Sequence, residues 1–162
     1  MQDIAKPDDL LEQLAEQLKT LLNHRAIDQP LMVGIHTGGV WIAEALHKKL
    51  KLSDPLATLD ISFYRDDFSR IGINPKVKPS SLPPQVDNRH IILIDDVLQT
   101  GRTIRAAMNE IFDYGRPASI TLVCLVERDG RELPVQADIV GQHLQLEENQ
   151  HIKLIGPDNL EF

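Results

Sequence analysis

The chain has 162 residues, a net charge of -7 and a single cysteine. That length lets one apolar core form without disulfides or metals, and the lone Cys124 excludes an internal disulfide. The acidic balance argues against broad nonspecific nucleic-acid affinity, which phosphate contacts mostly supply, and leaves room only for a local basic face.

No apolar run approaches the length of a membrane span, and Met1-Gln2-Asp3 lacks the basic start and apolar stretch of a signal peptide. A soluble, cytoplasmic chain is therefore expected. With no internal repeat or low-complexity tract, residues 1–162 are read as a single domain. Asp8 and Asp9 open a stretch in which Leu10, Leu14, Leu18 and Leu21 recur at helical spacing, predicting a helix over about 8–23. Leu31 to Ile35 is an uninterrupted apolar run. After the Gly38-Gly39 pair, Ile42, Ala45, Leu46 and Leu50 return to helical spacing, so the reading is strand, glycine turn, helix. Ala57, Leu59, Ile61 and Phe63 alternate with polar residues, as in a strand with one wet face.

Residues 64–89 carry Pro75, Pro79, Pro83 and Pro84 with little periodicity; a loop this long inside a compact domain predicts a lid or a binding loop. Ile91 to Ile94 is a buried-type strand followed by Asp95-Asp96, a turn at Gly101, and a helix bearing Ile104, Met108, Ile111 and Phe112, stopped by Gly115 and Pro117. Ile120 to Val126 is a third apolar run, and short strands are expected near 138–140 and 152–155. Strands alternating with helices predict an α/β fold, a mostly parallel sheet flanked by helices.

In such sheets ligands sit at the carboxyl ends of the strands, near a reversal in strand order. Asp95-Asp96 and Thr37-Gly38-Gly39 both fall there. The segment Val97, Leu98, Gln99, Thr100, Gly101, Arg102, Thr103 opens a helix, whose free amides and dipole form an anion cradle. Thr100 and Thr103 offer hydroxyls, Gly101 lets the backbone approach closely, and Arg102 adds positive charge. Two adjacent acids just upstream exceed what a helix cap requires. They suit sugar hydroxyls or the water shell of a magnesium ion.

The stretch IILIDDVLQTGRT, Ile91 to Thr103, resembles the phosphoribosyl-pyrophosphate fingerprint of the type I phosphoribosyltransferases. Asp60 to Ser69, Leu125 to Gly141 and Gly34 to Leu46 resemble segments of the PyrR group of that family, pyrimidine-operon attenuators that are also uracil phosphoribosyltransferases. The resemblance implies a type I phosphoribosyltransferase fold with a lid over about 64–89 and a small hood from about 126–162 together with the N-terminal segment. It implies that Asp95 and Asp96 bind the ribose hydroxyls, that Thr100 to Thr103 hold the 5-phosphate and that Thr37, Gly38 and Gly39 form the pyrophosphate loop. Arg65 in the lid, Mg2+ accompanying 5-phosphoribosyl 1-pyrophosphate (PRPP) or diphosphate, and a base-reading hood at Val126, Glu127 and Arg128 complete the implied site. The implied ligands are PRPP, uracil and UMP or UTP, with pyr leader mRNA bound by a homodimer or tetramer. RNA-binding candidates are Arg25, Arg116, Arg128 and Arg131.

The sequence also departs from that pattern. Gly38 stands where relatives commonly carry an arginine, which removes a cation facing the diphosphate and predicts weakened catalysis. Gln99 replaces a common tyrosine, and the hood reads Arg128-Asp129-Gly130-Arg131. Three functions are therefore in play: a uracil phosphoribosyltransferase that regulates pyrimidine genes, a catalytically inactive nucleotide sensor, and a purine-directed transferase. Arg131 to Pro134 argues against the last. No histidine shows metal-ligand spacing, so no protein metal site is assigned, and Trp41 is read as a packing or interface anchor.

Overall fold

The computed structural model describes residues 3–61, 81–83, 86–157 and 160–162. Eight elements follow in chain order: α1 (Pro7–His24), β1 (Leu31–Ile35), α2 (Gly38–Leu50), β2 (Ala57–Leu59), β3 (His90–Leu98), α3 (Arg102–Asp113), β4 (Ser119–Arg128) and β5 (Ile139–Leu144). The five strands form one sheet in the order β2-β1-β3-β4-β5, with every pairing parallel. Strand order reverses between β1 and β3, so the segments leaving those two strands diverge and open a crevice at their carboxyl ends.

Alternation along the strands sorts the core into two layers. Met32, Ile92, Ile94, Val123 and Leu125 meet the leucine stripe of α1 and Ile42, Ala43 and Leu46 of α2. Leu31, Val33, Ile35, Ile91 and Leu93 face the other way, onto Ile104, Ala107 and Ile111 of α3. The helix predicted over 8–23 gains a residue at each end, with Pro7 in its first turn, where a missing N–H costs nothing.

Three expectations change. The strand predicted at Ile91 to Ile94 continues to Leu98, so the acid pair lies inside β3. No strand forms at 152–155; Ile155 instead makes an isolated antiparallel bridge to Glu161. Phe112, counted on the apolar face of its helix, is 55% exposed, because α3 turns that position away from the sheet near its C-terminus. Of the strand expected through Phe63, β2 covers Ala57–Leu59, and Phe63 lies outside the described residues, as does most of the expected lid.

The two chain ends meet beside β5. The Gln142 side chain accepts a hydrogen bond from the Ala5 amide at 2.9 Å and donates one to the Asp3 carbonyl at 2.8 Å. Leu154 is buried against the α1 and α2 layer, with Ile152, Leu160 and Phe162 packed beside it. No described helix is long and apolar enough to cross a membrane.

Candidate active site

The crevice originates in a mismatch of strand lengths. Pairing of β1 with β3 ends at Gly34 opposite Ile94, whereas β3 and β4 continue together from Asp95 opposite Cys124 to Leu98 opposite Glu127. From Asp95 onward β3 therefore has a neighbour on one side only. The segment leaving β1 crosses the vacated side. It contains a cis peptide bond between His36 and Thr37, and α2 begins at once with Gly38 and Gly39.

Those glycines lie directly against the acids. A Cβ on Gly39 would stand 2.6 Å from the Ile94 carbonyl oxygen and 3.1 Å from the Asp95 Cα; one on Gly38 would stand 2.2 Å from Asp96 Oδ2. Only a residue without a side chain lets this loop approach so closely. Thr37 is exposed and makes no side-chain cap to α2. His36 donates its amide to the Leu59 carbonyl at 2.8 Å, tying the loop to β2.

Both acids are held by their own backbone. Asp95 is buried, and its Oδ1 accepts the Asp96 amide at 2.9 Å; Asp96 Oδ1 accepts the Val97 amide at 2.8 Å. Behind them lies dry sheet. Burial pushes the Cys124 thiol well above its ordinary pKa, and the neighbouring Asp95, Asp96 and Glu127 charges push it the same way. Cys124 is thus a neutral core thiol, as its apolar surroundings in the sequence predict.

The second turn has a different construction. Gly101 adopts φ +92° just before α3, and Thr100 Oγ1 accepts the Arg102 amide at 3.1 Å. The Thr100 carbonyl, next in line to accept from the first turn of the helix, instead takes the amides of Glu132 and Leu133 at 2.9 and 3.1 Å. The amides of Gly101, Thr103 and Ile104 consequently have no acceptor among the described residues. Free amides at the positive end of a helix dipole suit a phosphate.

A cavity of about 480 Å³ joins the acids to the turn before α3, lined by Asp95 to Gly101, Thr103, Ile104, Ile152 and Lys153. Arg102, expected to add charge to the cradle, does not line it; its guanidinium pairs with Glu132 at 3.3 Å. In sequence Ile152 and Lys153 belong only to an expected short strand and not to the site; their segment is coil, and only the fold brings it over the end of β3.

The hood residues divide by burial. Arg128, expected both in the hood and on RNA, is 4% exposed and donates to the carbonyls of Gln150 at 2.6 Å and Glu147 at 3.1 Å, so it anchors the C-terminal segment. Val126 is buried at the register position beside Gln142. Glu127 receives Arg131, which also donates to the Gln99 carbonyl, and lies 3.5 Å from His143. Arg131 therefore links hood and phosphate turn. Arg25 bonds Thr121 at 3.3 Å and pairs with Asp138 at 3.6 Å, while Arg116 is exposed just before β4. Both lie at the amino end of β4; Thr121, which Arg25 bonds, is roughly 20 Å along the strand from Glu127, which Arg131 pairs. Arg65 lies outside the described residues.

Comparisons with known proteins agree with this geometry. Residues 4–154 match the phosphoribosyl transferase domain family. The "Bifunctional protein PyrR" of Nitrosococcus oceani is 59% identical over 99% of this chain and 94% of its own length. That of Pseudomonas aeruginosa is 54% identical over 95% of this chain and 91% of its own. Among solved structures, a purine phosphoribosyltransferase from Pyrococcus horikoshii superposes with a TM-score of 0.61 at 21% identity, covering 90% of this chain and 92% of that one. A hypoxanthine phosphoribosyltransferase of Trypanosoma cruzi gives 0.67 at 15% identity, covering 89% and 82%. At such identities the structures speak for the fold alone. The fold, the acid pair and the full-length relatives converge, and the chain belongs to the phosphoribosyltransferase family, in its PyrR branch.

Proposed function

We propose that this chain is a pyrimidine-responsive regulator that also transfers phosphoribose from PRPP to uracil, yielding UMP and diphosphate. The observation that carries the reading is the acid pair at the open edge of β3, facing one cavity with the unsatisfied amides that begin α3. Full-length relatives named "Bifunctional protein PyrR" support the regulatory role, and the choice of base follows from the resemblance to that group.

In this reading the amides of Gly101, Thr103 and Ile104 hold the 5-phosphate, aided by the Thr100 and Thr103 hydroxyls. Asp95 and Asp96 accept the ribose hydroxyls and stabilise positive charge building on the sugar as the C1–O bond to diphosphate breaks. The N1–C1 bond forms as uracil loses its N1 proton, which leaves on the diphosphate or passes to water. Preorganised charge lowers the barrier, and no side chain serves as nucleophile. The Thr37-Gly38-Gly39 loop receives the diphosphate, the family resemblance assigns Arg65 to the same group, and the hood at Val126 and Glu127 faces the base.

Magnesium fits as a companion of the substrate. No cluster of three His, Cys, Asp or Glu residues occurs among the described residues, whereas two carboxylates beside a diphosphate suit an ion that keeps several waters. Asp95 and Asp96 would meet its water shell, and the ion would neutralise diphosphate charge. The regulatory half of the proposal places pyr leader mRNA on Arg25, Arg116 and Arg131. Because these arginines lie at opposite ends of β4, a continuous basic face calls for a homodimer or tetramer.

Gly38 favours a second reading, a nucleotide sensor with little catalysis. One experiment separates the readings: UMP formation from uracil and PRPP with magnesium, alongside calorimetric titration of UMP. Turnover supports the enzyme, binding without turnover supports the sensor, and neither result at millimolar ligand ends both. For RNA, a gel shift with pyrimidine leader RNA that weakens with salt and is lost on Arg131→Ala is expected; no shift at low salt removes that half.

A further inference from the structure

We infer that Lys153 is a phosphate-binding residue, its ammonium closing over the 5-phosphate from the side opposite the α3 amides. The inference rests on the phosphoribosyl reading of the cavity and goes further, because nothing in the sequence pattern marks this lysine.

The argument is one of charge balance. A phosphate monoester brings nearly two negative charges into a cavity whose wall already holds Asp95 and Asp96. Partial charges on three amides offset only part of that repulsion. Magnesium travels with the diphosphate, so the monoester needs another cation. Arg102, next to the turn in sequence, is paired with Glu132 and lies outside the cavity wall. Arg131 is held by Glu127 and the Gln99 carbonyl, and Arg128 is buried on two carbonyls.

Lys153 is the cation that lines the cavity among the described residues. It is exposed and has no hydrogen-bond or ion-pair partner among them, although two carboxylates share its cavity. Its neighbours fix its position. Leu154 is 2% exposed in the core, Ile152 packs beside it, and Arg128 ties the chain at residues 147 and 150. A flexible four-carbon stem on an anchored backbone lets a point charge reach an anion seated at the turn. The wall it shares is that of the phosphate turn, residues 97–101 and 103–104, and includes none of Thr37, Gly38 or Gly39. Its target is therefore the monoester and not the diphosphate.

The test is calorimetric titration of the full chain with UMP, uridine and ribose 5-phosphate, comparing native protein with Lys153→Met and Lys153→Arg. Lys153→Met is expected to weaken UMP and ribose 5-phosphate about tenfold and to flatten the salt dependence of binding, leaving uridine affinity and melting temperature unchanged. Lys153→Arg is expected to recover most of the affinity. Equal UMP affinity in native and Lys153→Met protein overturns the inference, as does equal loss for UMP and uridine, which would place the lysine on the base. If native protein binds neither UMP nor ribose 5-phosphate, the phosphoribosyl reading itself fails and this one with it, an outcome distinct from the other two.

Discussion

The two strand-to-helix turns that flank the crevice look alike in sequence, each a threonine followed by glycine, yet their glycines serve different ends. After β1, Gly38 and Gly39 are small so that the chain can press onto Ile94, Asp95 and Asp96. After β3, Gly101 is needed for its left-handed φ of +92°, which turns the backbone into α3 with free amides facing the cavity. The first glycines act by omitting volume against β3, and the second chiefly by permitting a dihedral, with a tight approach to Val135 besides. A glycine-rich turn at a strand end therefore does not by itself announce a phosphate cradle; what announces it is where the carbonyls and amides point.

The largest expected effect comes from the acids that both turns serve. Asp96→Asn keeps the shape and the bond to the Val97 amide but removes the charge proposed to face the sugar, so UMP formation should fall by about 10²-fold or more. Urea denaturation should move little. Equal activity in the variant would detach the acid pair from the chemistry.

Next come the omitted volumes. In Gly39→Ala the new methyl meets a carbonyl oxygen and a Cα of β3, neither of which can yield without moving the strand, and a loss of about 1–3 kcal/mol in urea denaturation is expected. In Gly38→Ala the obstacle is the end of the Asp96 side chain, which can rotate, so stability should drop less while UMP formation drops more. The same contact bears on an arginine at position 38. In this backbone it would displace Asp96, so Gly38→Arg is expected to lower activity rather than raise it. Rising turnover in that variant would show that the loop can retreat from β3.

Smaller still is Gly101→Ala, where the left-handed dihedral is strained and the new methyl would stand 3.1 Å from the Val135 Cβ: about 1–2 kcal/mol of stability from the dihedral, with phosphate affinity lowered as the amides tilt. If UMP binding survives unchanged, the cradle does not depend on this conformation.

How far the sequence carries these distinctions depends on the range of the interaction. The elements were legible because apolar periodicity is local: Leu10, Leu14 and Leu18 mark α1, and Leu31 to Ile35 marks β1. The acid pair and the glycine turn that opens α3 were legible because strand, acids and helix start are contiguous. What escaped is long-range. That Asp95 and Asp96 lie within β3 follows from β4 continuing beside them where β1 stops. Arg128 and Arg131 look alike as hood arginines, and only the path of the C-terminal segment buries one under two carbonyls while the other reaches Gln99. Arg102 sits in the phosphate motif yet pairs with a glutamate thirty residues on, and Lys153 arrives from outside every motif.

The slightest effect tests how dry the sheet is behind the acids. Cys124 lies in register with Asp95, and burial, reinforced by the charges of Asp95, Asp96 and Glu127, raises its pKa above the ordinary 9.0. Above that value the unfolded chain loses the thiol proton while the folded chain keeps it, so the folded state binds more protons and stability falls as pH rises. The slope cannot exceed ~1.4 kcal/mol per pH unit for one group. Other groups titrate in the same range, so the measurement is a difference: between about pH 8 and 10.5, urea stability should decline more steeply in the native chain than in Cys124→Ala. Thiol reagents should leave native protein unlabelled until it unfolds. Parallel pH curves together with rapid labelling would mean that water reaches β4 behind Asp95, and the acids would then hold their charges in a far wetter cleft than the packing implies.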